Sequence, residues 1–207
     1  MQSAATPRRY TTVAILLHWL IALGVLGMIG IGLAMTRGGL APMRQFQLYQ
    51  WHKSLGITVL LLAVLRVAWR LLHRPPPLPA AMPRAERRAA SAAHGLLYLL
   101  LLGLPLTGWA VVSASPFNIP TVLYGLVPWP HLPVLSDLPN KAPVEAALKL
   151  VHGYGAWVLI GLLLLHLGAA LRHHLVLRDD TLWRMLPLVP RPGARSLPPA
   201  EPERSAR

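Results

Sequence analysis

The sequence has nine histidines and no cysteine. Thiolate metal sites, iron–sulfur ligation, disulfides and the C-x-x-C-H attachment of c-type haem are therefore excluded. Any redox centre must be held by histidine, methionine or carboxylate. His152 and His166 are the most informative pair. On a helix, 14 residues rotate about 1400°, roughly 40° short of four turns, so both side chains leave nearly the same face. They stand ~21 Å apart along the axis. That is too far for one shared ion and suits two separate centres, one toward each end of the helix.

The elements that must position them are membrane spans. The chain is 54% hydrophobic and 13% charged, about half the charged fraction of a soluble domain. Four apolar stretches reach the ~20 residues needed to cross a hydrocarbon core. They run from about Thr12 to Met35, Gln50 to Leu72, His94 to Ala114 and Leu148 to Leu171. Their backbones must be helical, because an open strand in lipid leaves its amides unpaired. Pro105 is expected to kink the third. Arg8 and Arg9 before the first run resemble the start of a signal peptide. The run is too long for one and contains His18 and Trp19, so it reads as a retained helix.

Between the spans, residues 36–49 read as a short loop, 73–93 as a basic connector with Pro75-Pro76-Pro77, and 115–147 as a proline-rich loop with short helical pieces. The resulting fold is all-α: an integral membrane four-helix bundle with both termini cytoplasmic. Residues 1–11 form the cytoplasmic N-terminus, 12–188 the four-helix domain and 189–207 a disordered basic tail.

The net charge of +13 does not point to nucleic acid. The basic residues cluster at the ends of apolar runs instead of forming a patch with interleaved aromatics. Fifteen of the twenty lie at one end of the bundle, in the N-terminus, the 73–93 connector, the C-terminal tail and the adjoining helix ends. By the positive-inside rule that end is cytoplasmic. The other end holds Arg37, Arg44, Lys53, Lys141 and Lys149, opposed only by Asp137 and Glu145. That excess would attract a small anion.

Topology then pairs the histidines by depth. His18 and His166 lie equally far from the cytoplasmic surface, and His52 and His152 lie near the outer one. Each pair can supply the two axial ligands of a haem iron. Both axial positions filled by imidazole leave no open site, so such a haem carries electrons and does not bind oxygen. Ionisable groups inside a bilayer are costly and usually functional, and bundle cores are usual haem sites. Gly56 follows His52 by one turn and would let a porphyrin lie close, as Gly155 would beside His152. Arg66, 14 residues after His52, should face the interior at the inner depth and meet a haem propionate. Lys53 is its outer counterpart.

Other residues have plainer readings. His94 reads as a helix-start residue at the interface, with third-helix ligation or quinone binding as the alternative. His173 and His174 either bind quinone or stabilise the helix C-terminus. His73 and His131 read as loop residues, Met28 and Met35 as packing, and Trp19, Trp51 and Trp109 as interfacial or bundle aromatics.

Several segments resemble the bacterial cytochrome b561 family. They are His18-Trp19-Leu20, Trp51 through Gly56, Arg66 through Arg70, His94 through Tyr98, His152 through His166 into Arg172-His173-His174, and Asp179 through Pro187. The resemblance covers roughly residues 8–188. It implies a four-helix inner-membrane protein with two haem b groups, ligated at His18, His52, His152 and His166. It also implies a superoxide:ubiquinone oxidoreductase, with superoxide oxidised at the periplasmic side and ubiquinone reduced in the membrane. The alternative is a cytochrome b anchor subunit linking a hydrogenase or dehydrogenase, or another periplasmic redox protein, to the quinone pool. A third class, a haem carrier or small transporter, would hold haem only weakly. The proline-rich outer loop and the longer basic tail depart from the family pattern.

Overall fold

The computed structural model describes residues 9–37, 39–78 and 82–187. The expected tail, 189–207, and most of the N-terminal segment lie outside them. Helix α1 spans Thr12–Thr36, α2 Pro42–Leu72 and α3 Arg84–Ser113. Two short strands follow, β1 Thr121–Leu123 and β2 Val127–Trp129. Helix α4 is Pro133–Ser136, α5 is Ala142–Leu175, and a single 3-10 turn covers Trp183–Met185.

Helices α1, α2, α3 and α5 are each long and apolar enough to cross a membrane. Their outer faces carry bare leucines, such as Leu23 at 64% and Leu164 at 67% exposure. In water this belt would be an aggregation surface; in lipid it is the required exterior. Thr11 caps α1, its hydroxyl accepting from the Ala14 amide at 3.3 Å. α2, α4 and α5 each carry a proline in the first turn, where the missing amide costs nothing.

Three of these helices overrun the stretches that hydropathy marks. α2 starts at Pro42, so much of the expected 36–49 loop is helical. α3 starts at Arg84, ten residues before His94, on the run Arg84-Ala85-Glu86-Arg87-Arg88-Ala89-Ala90. That run is polar but made of strong helix formers. α5 extends at both ends. α3 runs continuously through Pro105.

The outer connector differs from expectation more. It contains α4, as foreseen, but also an antiparallel hairpin pairing Thr121 with Trp129 and Leu123 with Val127. Tyr124 and Gly125 both adopt positive φ, at 52° and 74°, and the Leu126 amide donates to the Leu123 carbonyl. This is the primed turn that matches strand twist. The hairpin is fastened to α2: the Tyr124 amide donates to Ser54 Oγ at 3.0 Å, and the Tyr124 and Thr58 hydroxyls lie 2.7 Å apart.

The main helix packing is α1 on α2, α2 on α3 and α3 on α5. α5 faces α1 and α2 across the interior without comparable packing against either. A small core of Ile21, Val25, Val59, Leu97 and Leu159 sits in that interior. Within lipid such a core is held by close van der Waals contact rather than by expulsion of water.

Candidate haem sites

Residues seven apart on a helix fall on nearly one face, drifting about 20° per heptad. That spacing organises the interior into three layers. α1 contributes His18, Val25 and Gly32, and α2, running back, contributes Arg66, Val59 and His52. α3 contributes His94, Leu101 and Gly108, and α5 contributes His166, Leu159 and His152. Val25, Val59 and Leu159 belong to the core, with Leu101 packed against it. The apolar layer thus separates one histidine layer from the other.

In the outer layer the His52 and His152 ring centroids are 6.2 Å apart. In the inner layer His18 and His166 are also 6.2 Å apart. Two imidazoles on opposite sides of one metal, with metal–nitrogen bonds of about 2 Å, hold their centroids roughly 6.3 Å apart. Both pairs fit that spacing. His94 is 5.6 Å from His166, too close for a metal between them, so His18 is the better match for His166.

The outer pair borders a cavity of about 380 Å³, within the ~300–1,000 Å³ of small-molecule and cofactor sites. Both ring nitrogens of His52 are buried without a hydrogen-bond partner. Leaving such a group unmet costs about 1–3 kcal/mol, which suits a residue awaiting a ligand. His152 is set differently. Its Nδ1 lies 3.1 Å from the Leu104 carbonyl and 3.0 Å from Thr107 Oγ1. With the proton on Nδ1 donated to that carbonyl, Nε2 is left free to coordinate.

A glycine lies beside each outer imidazole, tightly only at His152. A Cβ on Gly108 would come 3.1 Å from His152 Cε1, and one on Gly32 would come 3.4 Å from His52 Cε1. Gly56 lines the cavity, and a Cβ there would come 3.4 Å from Met28 Cε. Gly155 does not act as expected. It faces α3, where a Cβ would sit 2.8 Å from Leu104 Cδ2, so it serves helix packing. Met28 and Met35, read as packing, both line the cavity.

Lys53 and Lys149 also line the cavity. Lys53 Nζ donates to the Pro120 carbonyl at 3.0 Å, tying α2 to the hairpin. Lys149 pairs with Glu145 at 3.0 Å. At the inner layer Arg66 donates to the Ala14 carbonyl at 2.7 Å and lies over the Tyr98 ring.

Hydropathy and depth matching missed Gly32 and Gly108, and read His94 as a helix-start residue with ligation only as the alternative. His94 is not a helix-start residue, because α3 begins ten positions earlier. The heptad spacing carried the signal for all three. Trp19 Nε1 donates to the Met185 carbonyl, Trp51 meets Tyr124 edge-on, and Trp109, which lines the cavity, donates its Nε1–H to the Pro130 carbonyl. His73 stacks on Trp69 at 3.9 Å.

Two metal-spaced histidine pairs in a four-span bundle narrow the possibilities, and sequence comparison decides among them. The profile of the family described as prokaryotic cytochrome b561 matches residues 9–188. The chain belongs to the prokaryotic cytochrome b561 family. It is 36% identical over 188 residues to Cytochrome b561 homolog 2 of Escherichia coli (strain K12), covering 90% of this chain and 95% of that relative. It is 31% identical over 182 residues to the Probable superoxide oxidase CybB of Yersinia pestis, covering 87% and 97%. Cytochrome b561 homolog 1 of Escherichia coli (strain K12) is 30% identical over 184 residues, covering 86% and 97%. This cytochrome b561 is therefore a multi-pass protein of the bacterial inner membrane that binds haem b and works in electron transfer.

Proposed function

We propose that this cytochrome b561 is an oxidoreductase that takes electrons from superoxide at the periplasmic face and delivers them to ubiquinone. The observation that carries this reading is the pair of imidazole couples, each at 6.2 Å, in layers at opposite depths of the bundle. Bound haem b supplies a one-electron carrier. His52 and His152 would hold the outer one, and His18 and His166 the inner one. Arg66 would meet an inner propionate and Lys53 an outer one. The end bearing Arg9 and Leu186, which bond to each other, faces the cytoplasm because the basic residues gather there.

The stoichiometry is simple. Two superoxide ions each lose one electron and leave as dioxygen, while ubiquinone takes up two electrons and two protons. The printed name of the Yersinia pestis relative supports this donor. The test is turnover of purified protein with a superoxide source and a soluble ubiquinone. Ubiquinol formation without any added protein is expected; no reduction would refute superoxide as the donor.

One observation favours the anchor-subunit reading instead. Phe117 at 79% and Leu126 at 82% exposure stand on the outer connector, and exposed apolar residues of this kind often mark a contact surface. That reading requires a second chain to co-purify and requires turnover to fail without it.

A further inference from the structure

Beyond the inner histidine layer, the inward line of α5 continues one heptad further, to His173. That side chain is buried, yet both ring nitrogens meet carboxylates. Nδ1 lies 2.5 Å from Asp179 Oδ2 and Nε2 lies 3.3 Å from Glu86 Oε1. Arg172 bonds the same Glu86 oxygen at 2.9 Å. Arg172 and His173 thus face the two carboxylates of Glu86 and Asp179. Burial pushes the Asp179 carboxyl up, but the hydrogen bonds from His173 and the Thr181 amide outweigh it and hold the group below the usual range.

Asp179 belongs to residues 176–187, which leave α5 through Arg178 at positive φ and cross the inner end of the bundle. This strap is tied to α5 through the Asp179–His173 contact, and Glu86 of α3 holds the other side of the same His173 ring. Arg184 donates to the Pro77 carbonyl at 2.7 Å, in the connector that follows α2. Trp19 of α1 donates to the Met185 carbonyl at 2.7 Å, and Arg9 donates to the Leu186 carbonyl. Trp19 in turn lies 5.6 Å from His18, ring to ring.

We infer that His173 is a positioning residue: it pins the strap across the inner end of the bundle, and the strap shields the inner haem from water. The inference rests on the two-haem reading above. Shielding matters because solvent access and local dielectric set a haem's potential. Oxidised iron between two neutral imidazoles leaves a net positive centre, which water stabilises, so opening the strap lowers the potential.

The test is a spectroscopic redox titration of the purified, haem-loaded protein and two variants. His173→Gln adds no positive charge to the cluster, and Asp179→Asn removes a negative one. A pure field effect would raise the potential of the inner haem in Asp179→Asn and would not lower it there. Strap release moves it downward in both, by about a tenfold change in its reduction equilibrium, ~59 mV for a one-electron couple. The outer haem stays unmoved. Trypsin cleavage after Arg178 or Arg184 should become faster in both variants. Opposite shifts, or none, would overturn the strap. A single redox component in the wild-type protein would instead overturn the two-haem reading itself. Where His173→Gln fails to assemble, Glu86→Gln replaces it as a second release variant. Its net charge matches that of Asp179→Asn, and a fall in the potential of both still contradicts the rise that a field effect requires.

Discussion

Replacing His52 or His152 with alanine should remove one haem and leave the other, and replacing His18 or His166 should remove the one that remained. Each substitution takes away one of two axial ligands, so the expected effect is loss of a whole cofactor rather than a shift in affinity. The two losses should be independent. The layers are ~21 Å apart, and Val25, Val59 and Leu159 lie between them. Sites that far apart with no shared partner behave additively. The His18→Ala/His52→Ala double variant should therefore lose both haems. The check is haem content with low-temperature difference spectra of each purified variant. If His18→Ala and His52→Ala removed the same spectral component, the pairing would be wrong.

Superoxide oxidation should slow steeply with ionic strength. The outer connectors and helix ends hold five basic residues against two acidic ones, and Lys53 and Lys149 border the cavity beside His52 and His152. Lys149 is paired with Glu145, while Lys53 bonds only a neutral carbonyl among the contacts described. Lys53 is thus the more effective attractor. A focused field of one sign raises encounter rates by about 10–10³. It is lost as the Debye length contracts from about 30 Å at 0.01 M to about 3 Å at 1 M. The second-order rate constant should fall at least about tenfold across that range. In the Lys53→Gln/Arg44→Gln variant most of this dependence should vanish, with the low-salt rate falling toward the high-salt one. A rate that ignores salt, or a variant indistinguishable from wild type, would remove steering from the account.

Much of the architecture can be read from the residues because lipid imposes strong constraints. A span must be apolar, helical and about 20 residues long, which located all four membrane helices and set the relative depth of His18, His52, His152 and His166. Depth alone then paired His18 with His166 and His52 with His152, and the ring separations agree with that pairing. Helix ends were less legible because hydropathy reports the hydrocarbon slab, not the helix. Arg84–Ala93 is polar yet helical, and so His94 sits within α3 at the inner layer instead of at a helix start. The hairpin escaped notice because its turn is Tyr124-Gly125 rather than the more telling Asn-Gly or Asp-Gly. Gly155 was assigned by its nearness to His152 in sequence, but the i+7 rule selects Gly108 from a different helix. His173 was left between two roles because its partners, Glu86 and Asp179, come from separate segments, and only the fold brings them together.

The central claim is that four histidines hold two haems in one chain. The most direct test is the haem-to-protein ratio of the purified protein, taken with its reduced-minus-oxidised spectrum. Two low-spin b haems per chain is the result this account predicts. A ratio of one would mean that one of the 6.2 Å pairs is structural, and a high-spin spectrum would contradict axial ligation by paired imidazoles.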